Sequence, residues 1–333
     1  MFDIPGVFIL IVLVALFGFL TTRAKMLRNV ILKWVGMILS GLLTLILMTL
    51  LTLGLIGFYK LNKRYNNPVA NIQVAGTSTQ IARGRQLANI CVNCHTSNGQ
   101  LPLSGVNFRA KFPAPPIGTF YAPNLTSSGN IQDWTDGELI RAIREGIHKD
   151  GRSLIVMPAE TLRNLSDDDV QALVAYLRSQ PAIGNPTPTN KFNLFGAIFI
   201  DLFDLQTAQS PVSNITSPQP RTPDYGKYMV DILGCRFCHG DQLQGKLDKG
   251  QPGPPPGPNL TLIVPQWTEE QFMTFFNTGQ LPGGKTVPIL TLPSGLSEPR
   301  MPWPTVRATT TDDELKAMYA YLHALPPVEG PSK

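Results

Sequence analysis

Apolar residues are spread very unevenly along this chain of 333 residues. Residues 4–22 form one apolar stretch, and residues 35–58 form a second with no charge inside it. A helix needs about 20 apolar residues to cross the hydrocarbon core of a membrane, so both stretches predict spanning helices. A cleaved signal peptide is the competing reading of the first stretch. Its opening, Met1-Phe2-Asp3-Ile4-Pro5, carries an acid and no Lys or Arg, and no A-x-A pattern follows it, which favours a retained helix. Arg23, Lys25, Arg28 and Lys33 lie between the two stretches and place that loop in the cytoplasm, with both ends of the hairpin outside. Lys60, Lys63 and Arg64 pull weakly the other way. Residues 1–64 therefore read as a transmembrane hairpin. Gly36, Gly41, Gly54 and Gly57 are positions where another helix can approach closely, or simply ordinary membrane-helix glycines.

Beyond residue 65 the pattern changes to short amphipathic segments. Val170–Arg178 and Leu315–Leu325 show helical apolar spacing. Thr135 with Glu138, and Thr268 with Gln271, read as capping boxes that start helices. Ser166 and Thr311 read as N-caps followed by acids that suit the helix dipole. No stretch shows a sheet pattern. The 30 Pro and 29 Gly require much of the chain to be loop.

These segments belong to a duplication. The first copy runs Cys91-Val92-Asn93-Cys94-His95, Pro123-Asn124-Leu125-Thr126, Trp134-Thr135, Met157-Pro158, Ser166-Asp167-Asp168-Asp169 and Ala175-Tyr176-Leu177. The second runs Cys235-Arg236-Phe237-Cys238-His239, Pro258-Asn259-Leu260-Thr261, Trp267-Thr268, Met301-Pro302, Thr311-Asp312-Asp313-Glu314 and Ala320-Tyr321-Leu322. Matched features in one order argue for one module repeated. The expected division is 1–64 for the hairpin, 76–180 and 224–328 for two modules, and 181–223 for a Pro-rich linker. Within the linker, Phe192–Leu205 is an apolar run too short to span a membrane, expected to pack against a module rather than on the membrane or a partner.

Charge changes the picture only once it is placed. The net charge is +5, but 7 of the 28 basic residues lie in the first 64 positions, where Asp3 is the lone acid. The basic excess is a membrane-flank feature, so no nucleic-acid partner is expected. Arg83, Arg85, Arg109 and Lys111 lie in a segment without acids from 65 to 132 and predict a basic face for an acidic partner.

The chemistry sits in the repeated C-x-x-C-H. Two cysteines at this spacing reach the two vinyl groups of a haem, and the next residue places its imidazole under the iron. Zinc binding, a thioredoxin-like pair and structural disulfides compete for the same cysteines. The histidines favour haem: the chain has 4, and two of them directly follow the second Cys of each pair. All 4 cysteines are consumed by the motif. Met157 lies 62 residues after His95, and Met301 lies 62 residues after His239, each followed by Pro. A thioether opposite His raises the potential and suits an electron carrier. His148 in the first copy, and Met273, Met318 and His323 in the second, compete as ligands but read better as surface or packing residues. Tyr121, Trp134 and Trp303 are candidates for the haem edges, and Arg109, Lys111, Arg141 and Arg152 for the propionates, with solvation the default for any one arginine. The hairpin has no His, and no acid between 4 and 132, so it offers neither a bis-His haem site nor proton carriers for a quinol.

On these motifs the chain resembles tandem class I cytochrome c domains. Gly118–Thr126, Trp134–Asp136, Ile143–Gly146 and Asp150–Arg152 are similar to cytochrome c subunits of membrane-bound alcohol and gluconate dehydrogenases. Those subunits usually carry three modules and lack a double-helix anchor. The anchor with two modules is similar to dihaem subunits of haem-copper oxidases. The second copy departs from the pattern at Pro252–Pro258 and at Gln280–Pro299. The resemblance implies an all-α fold with two tandem class I cytochrome c domains after the hairpin. It implies two covalently bound haem c groups, held by Cys91, Cys94, His95 and Met157 and by Cys235, Cys238, His239 and Met301. The expected role is single-electron transfer within a larger complex. Integral membrane subunits are expected as partners on one side, and a soluble redox carrier or terminal oxidase on the other. The expected location is the inner membrane of a prokaryote, multi-pass, with the haem domains on the periplasmic face. A dihaem peroxidase is the competing function and needs one iron with an open sixth position.

Overall fold

A computed structural model describes residues 3–111, 115–248, 255–291 and 297–331, leaving out the side chain of Lys111. Nine helices of eight residues or more carry the architecture among the described residues: α1 Ile4–Ala24, α2 Val30–Asn62, α3 Ser78–Leu87, α4 Asp136–Glu145, α5 Asp167–Ser179, α6 Leu194–Leu202, α7 Pro223–Ile232, α8 Glu269–Thr278 and α9 Asp312–His323. Three two-stranded ribbons accompany them. β1 Val106–Asn107 pairs with β3 Tyr121–Ala122, β2 Gly118–Thr119 with β4 Lys191–Phe192, and β5 Ile289–Thr291 with β6 Ser297–Pro299. Ribbons of two or three residues are too short to leave an alternating signal, so the expectation of no sheet pattern missed them.

Helices α1 and α2 pack antiparallel and are long and apolar enough to cross a membrane. Their apolar windows are 0% and 11% buried, unlike the core helix of a soluble domain. Thr21 Oγ1 donates to Ser40 Oγ at 2.9 Å, and Gly36 lets Ala24 approach, which fixes their register. Gly54 and Gly57 face α6 instead: a Cβ on Gly57 would lie 2.3 Å from the Ala197 carbonyl oxygen. The charges that opposed the topology are matched by partners from outside the hairpin. Lys60 pairs with Asp201 at 2.5 Å, Arg64 pairs with Asp150 at 3.9 Å, and Lys63 sits over the Tyr65 ring.

The predicted helix starts are all present. Thr135/Glu138 and Thr268/Gln271 form complete capping boxes, Ser166 caps α5, and Thr311 with Glu314 forms a further box on α9. Each half then crosses its first and last helices at a glycine. A Cβ on Gly84 of α3 would lie 1.8 Å from the Ala172 oxygen of α5, and one on Gly226 of α7 would lie 1.9 Å from the Ala317 oxygen of α9. A side chain at either position would force the helices apart.

The two helix pairs share one core and one buried ionic cluster. The Arg83 guanidinium grips Asp169 in bidentate fashion at 2.8 and 2.9 Å and reaches Glu314 at 2.7 Å. Gln86 donates to Glu314 at 2.8 Å, Tyr225 donates to Glu314 at 3.0 Å, and Tyr228 donates to Asp169 at 2.6 Å. Burial, reinforced by these acids, pushes both phenols above the ordinary tyrosine range, so they remain donors. Burial opposes the charge on Arg83, yet Asp169 and Glu314 hold it above the ordinary guanidinium range. Arg83 is thus a clamp between the halves and not part of a basic docking face. Its loss would leave two buried carboxylates facing each other. Arg83→Met is expected to lower the unfolding free energy of the extramembrane part by about 3–5 kcal/mol in a denaturant titration, whereas Arg85→Met, at an exposed position, is expected to change it little.

Candidate functional site

The first copy builds its site at the end of α3. The chain tightens into a 3-10 turn at Ala88–Cys91 and a single helical turn at Val92–His95. This places Cys91, Cys94 and His95 at one wall of an apolar, two-lobed cavity of about 260 and 140 Å³. His95 and Met157 line both lobes, while Cys91 and Cys94 line the smaller one. His95 is 7% exposed. Its Nδ1–H donates to the Pro123 carbonyl at 2.9 Å, which leaves Nε2 as the free acceptor. Burial lowers its pKa, so the imidazole stays neutral, as an iron ligand requires.

The second copy repeats this arrangement at Cys235–His239, which follows α7. His239 Nδ1–H donates to the Pro258 carbonyl at 2.7 Å, and burial again lowers its pKa. Gly257 lies against this ring: a Cβ there would approach three imidazole atoms at 2.6–3.0 Å. Met301 and Cys235 pack against the shared core. Residues 252–254 and 292–296 of the two departures noted above lie outside the described residues.

Burial pushes the thiols of Cys91 and Cys235 up to about 12 and raises that of Cys238. A thioredoxin-like pair needs a depressed thiol pKa, so that reading finds no support here. No group of three or more His, Cys, Asp or Glu converges as a metal site among the described residues. A half-buried Cys pair, a neutral His with free Nε2 and a Met on the wall of the same apolar slot together fit a covalently held haem. The group would supply one-electron chemistry there, and the chain would supply ligands, burial and orientation.

The other expected residues divide. Tyr121, Trp134 and Arg152 lie on the cavity wall, and Asp150 holds Arg152 at 2.8 Å. Trp303 packs against Gly279 in the second half. Arg141 is buried and donates from Nη1 and Nη2 to the carbonyls of Asn67, His148 and Lys149, with no partner for its Nε among the described residues, and Arg109 donates to the Gly118 carbonyl. The side chain of Lys111 lies outside the described residues. His148 is half-exposed, pairs with Asp150 at 2.9 Å and meets the edge of Trp134, rather than facing solvent alone. Met318 is buried core, Met273 is partly buried against it, and His323 is exposed on α9.

Three features of the site had no clear local signal. Phe58, Leu61 and Asn62 at the end of α2 line the larger lobe, so the hairpin is built into the site. The linker does more than connect. Phe192 lines the same lobe, and the Leu205 carbonyl accepts from Val156 N at 2.8 Å, beside Met157. Val156 holds φ at +64°, a strained value for a β-branched residue, and this strap secures it. Finally, the Asn of each Pro-Asn-Leu-Thr is a clip. Asn124 donates to the carbonyls of Ile183 and Asn185 and accepts from Thr126, and Asn259 donates to Val328 and accepts from Thr261. Each fastens the segment after the last helix of its half beside the proline that holds the His.

A cytochrome c family model matches residues 81–181, the stretch that contains this first site. The chain is 28% identical over 282 residues to the cytochrome c subunit of a quinone alcohol dehydrogenase from Komagataeibacter europaeus, covering 75% of this chain and 57% of that subunit. It is 26% identical over 226 residues to the fructose dehydrogenase cytochrome subunit of Gluconobacter japonicus, covering 60% and 45%. It is 36% identical over 102 residues to the gluconate 2-dehydrogenase cytochrome c subunit of Pantoea cypripedii, covering 29% of this chain and 22% of that one. These matches span little more than half of their partners at most. Residues 81–181 are therefore a cytochrome c domain, a covalent haem and electron-transport unit. Over the matched stretches, up to 75% of its length, the chain is homologous to cytochrome c subunits of dehydrogenases.

The asparagine clips are unequal. Asn124 is fully buried with two carbonyl partners, whereas Asn259, among the described residues, has Val328 as the acceptor for its Nδ2 and is partly exposed. Asn124→Ala is expected to cost on the order of 3 kcal/mol in chemical denaturation, and Asn259→Ala about half as much.

Proposed function

We propose that the chain is a membrane-anchored dihaem cytochrome c that relays single electrons as a subunit of a larger complex. Residues 76–180 and 224–328 would be its two haem modules, joined by the linker 181–223 and tethered by the hairpin 1–64. Cys91, Cys94, His95 and Met157 would hold one haem c, and Cys235, Cys238, His239 and Met301 the other. The observation that carries the second module is the repeated geometry at its histidine: the same Cys pair, the same Nδ1 bond to the proline of Pro-Asn-Leu-Thr, and the same glycine crossing.

The electron donor or acceptor on one side would be an integral membrane complex or dehydrogenase, and on the other a soluble carrier or oxidase. Homology to cytochrome subunits of alcohol and fructose dehydrogenases supports a dehydrogenase on the donor side. The hairpin would lie in a prokaryotic inner membrane with the haem modules on the periplasmic face, where c-type haem is attached. The α2 residues in the cavity wall support a position of the first module next to the membrane. No catalytic base or nucleophile is required of the chain, because the haems carry the chemistry.

Optical spectra of the detergent-purified protein test this reading. Two covalent haems per chain, a long-wavelength iron–methionine band and no carbon monoxide shift are the expected result. A single haem, or one that binds carbon monoxide in the wild type, would replace the carrier reading with an open-iron enzyme of the peroxidase kind. Met157→Ala and Met301→Ala are each expected to remove half of the iron–methionine band and to let one haem bind carbon monoxide.

A further inference from the structure

Helix α6 was expected to pack on a haem module, and in part it does. A Cβ on its Gly196 would lie 2.2 Å from the Ile117 oxygen, and Ala197 and Ile200 are fully buried. Its remaining apolar face is exposed at Phe195, Leu202 and Phe203 and half-buried at Phe199. Phe195, Phe199, Leu202 and Phe203 recur at i, i+4, i+7 and i+8, which is one stripe of a helix. The rings of Phe195, Phe199 and Phe203 follow one another at 6.3 and 4.7 Å, and Leu202 is 70% exposed.

The height of this stripe is set by the hairpin. The carboxylate of Asp3 caps two helices at once: Oδ1 accepts from Gly6 N of α1 at 3.1 Å, and Oδ2 accepts from Leu194 N of α6 at 3.1 Å. The other side of α6 rests on Gly54 and Gly57 of α2. Helix α1 has 21 residues, about 31 Å at 1.5 Å per residue, which matches the hydrocarbon core. If α1 fills that core, its first turn lies at the outer boundary, and so does the α6 turn bonded to it. A short helix at that depth, with one apolar stripe largely exposed, has the form of an interfacial membrane helix. Lys60 and Asp201, paired beside it, sit where a polar headgroup layer tolerates charge.

We propose that α6 lies in the outer membrane boundary and beds Phe195, Phe199, Leu202 and Phe203 among the acyl chains of the outer leaflet. The inference rests on the anchor reading of the hairpin. The partner is lipid, because α6 is bonded to the first turn of α1 and rests on the outer end of α2, two helices whose apolar side chains are themselves exposed. It makes the linker a third membrane contact and holds the mouth of the first haem cavity, walled by Phe58 and Phe192, close to the bilayer surface.

The test uses the full chain in phospholipid nanodiscs. A benzophenone amino acid is placed singly at Leu202, Phe203, Ile9 or Ile289, and adducts are identified by mass after irradiation. Ile9 is an exposed position on α1, and Ile289 is an exposed apolar position in the second half. Phospholipid adducts at Leu202, Phe203 and Ile9, with none at Ile289, are expected. Adducts at Ile9 without any at Leu202 and Phe203 would overturn the α6 proposal and leave the anchor standing. No adduct at Ile9 would remove the anchor reading, and the proposal with it. Equal adducts at Ile289 would show indiscriminate labelling and count against the proposal. Each variant is checked for its full haem complement, so that a misfolded chain is not scored.

Discussion

The Arg83 guanidinium holds two carboxylates contributed by the last helix of each half, Asp169 and Glu314, with Tyr225 and Tyr228 closing the ring. Burying charges is costly, and a pair in the interior is stable only when every remaining donor and acceptor is matched. Here the matching draws on four helices. Neither half can rotate against the other without leaving an acid unpaired in an apolar setting. The helices that bear this cluster also end in, or pack on, the Cys-x-x-Cys-His turns. The orientation of one site relative to the other is therefore set by the same bonds that hold the core together. For the two-haem relay proposed above, which would pass electrons over a fixed gap, rigidity of this kind matters more than a large interface.

The site itself is built by a second kind of constraint, in which backbone groups hold side chains. A proline carbonyl sets the tautomer of each His, and an Asn two-way clip holds the strand that carries that proline. Over the Met157 loop the linker acts as a strap, pairing Val156 with Leu205. The same linker, a few residues earlier, rests on the glycines of α2. Membrane helix, strap and Met loop thus form one continuous mechanical path.

Much of this was legible in the residues. Capping boxes, apolar length and the doubled Cys-x-x-Cys-His are local signals, and each found its place: the hairpin, the helix starts, and a cavity shared by Cys91, Cys94, His95 and Met157. What was not legible depends on partners far apart in the chain. Arg83 reads as one more surface cation until Glu314, 231 positions later, is placed beside it. The linker reads as filler because its role is to touch residues from three other segments, and none of those contacts has a sequence period. The bonds of Arg141 were illegible for a related reason, since its partners are backbone carbonyls, which every residue possesses.

The glycine crossings align Arg83 with Tyr225 and Gln86 with Tyr228, so the two helices differ in kind at the positions where the halves meet. That asymmetry carries information about self-recognition. Two second halves from neighbouring chains would bring two Glu314 carboxylates to one junction and no guanidinium at all, and two first halves would bring no phenol to donate to Asp169. Only the unlike pairing supplies Arg83 together with both tyrosine donors. A crowded membrane, where many copies face the same way at the same height, is where exchange of halves between chains is easiest. Divergence at these few positions keeps each chain folded on itself, because the wrong pairing is penalised as well as the right one favoured.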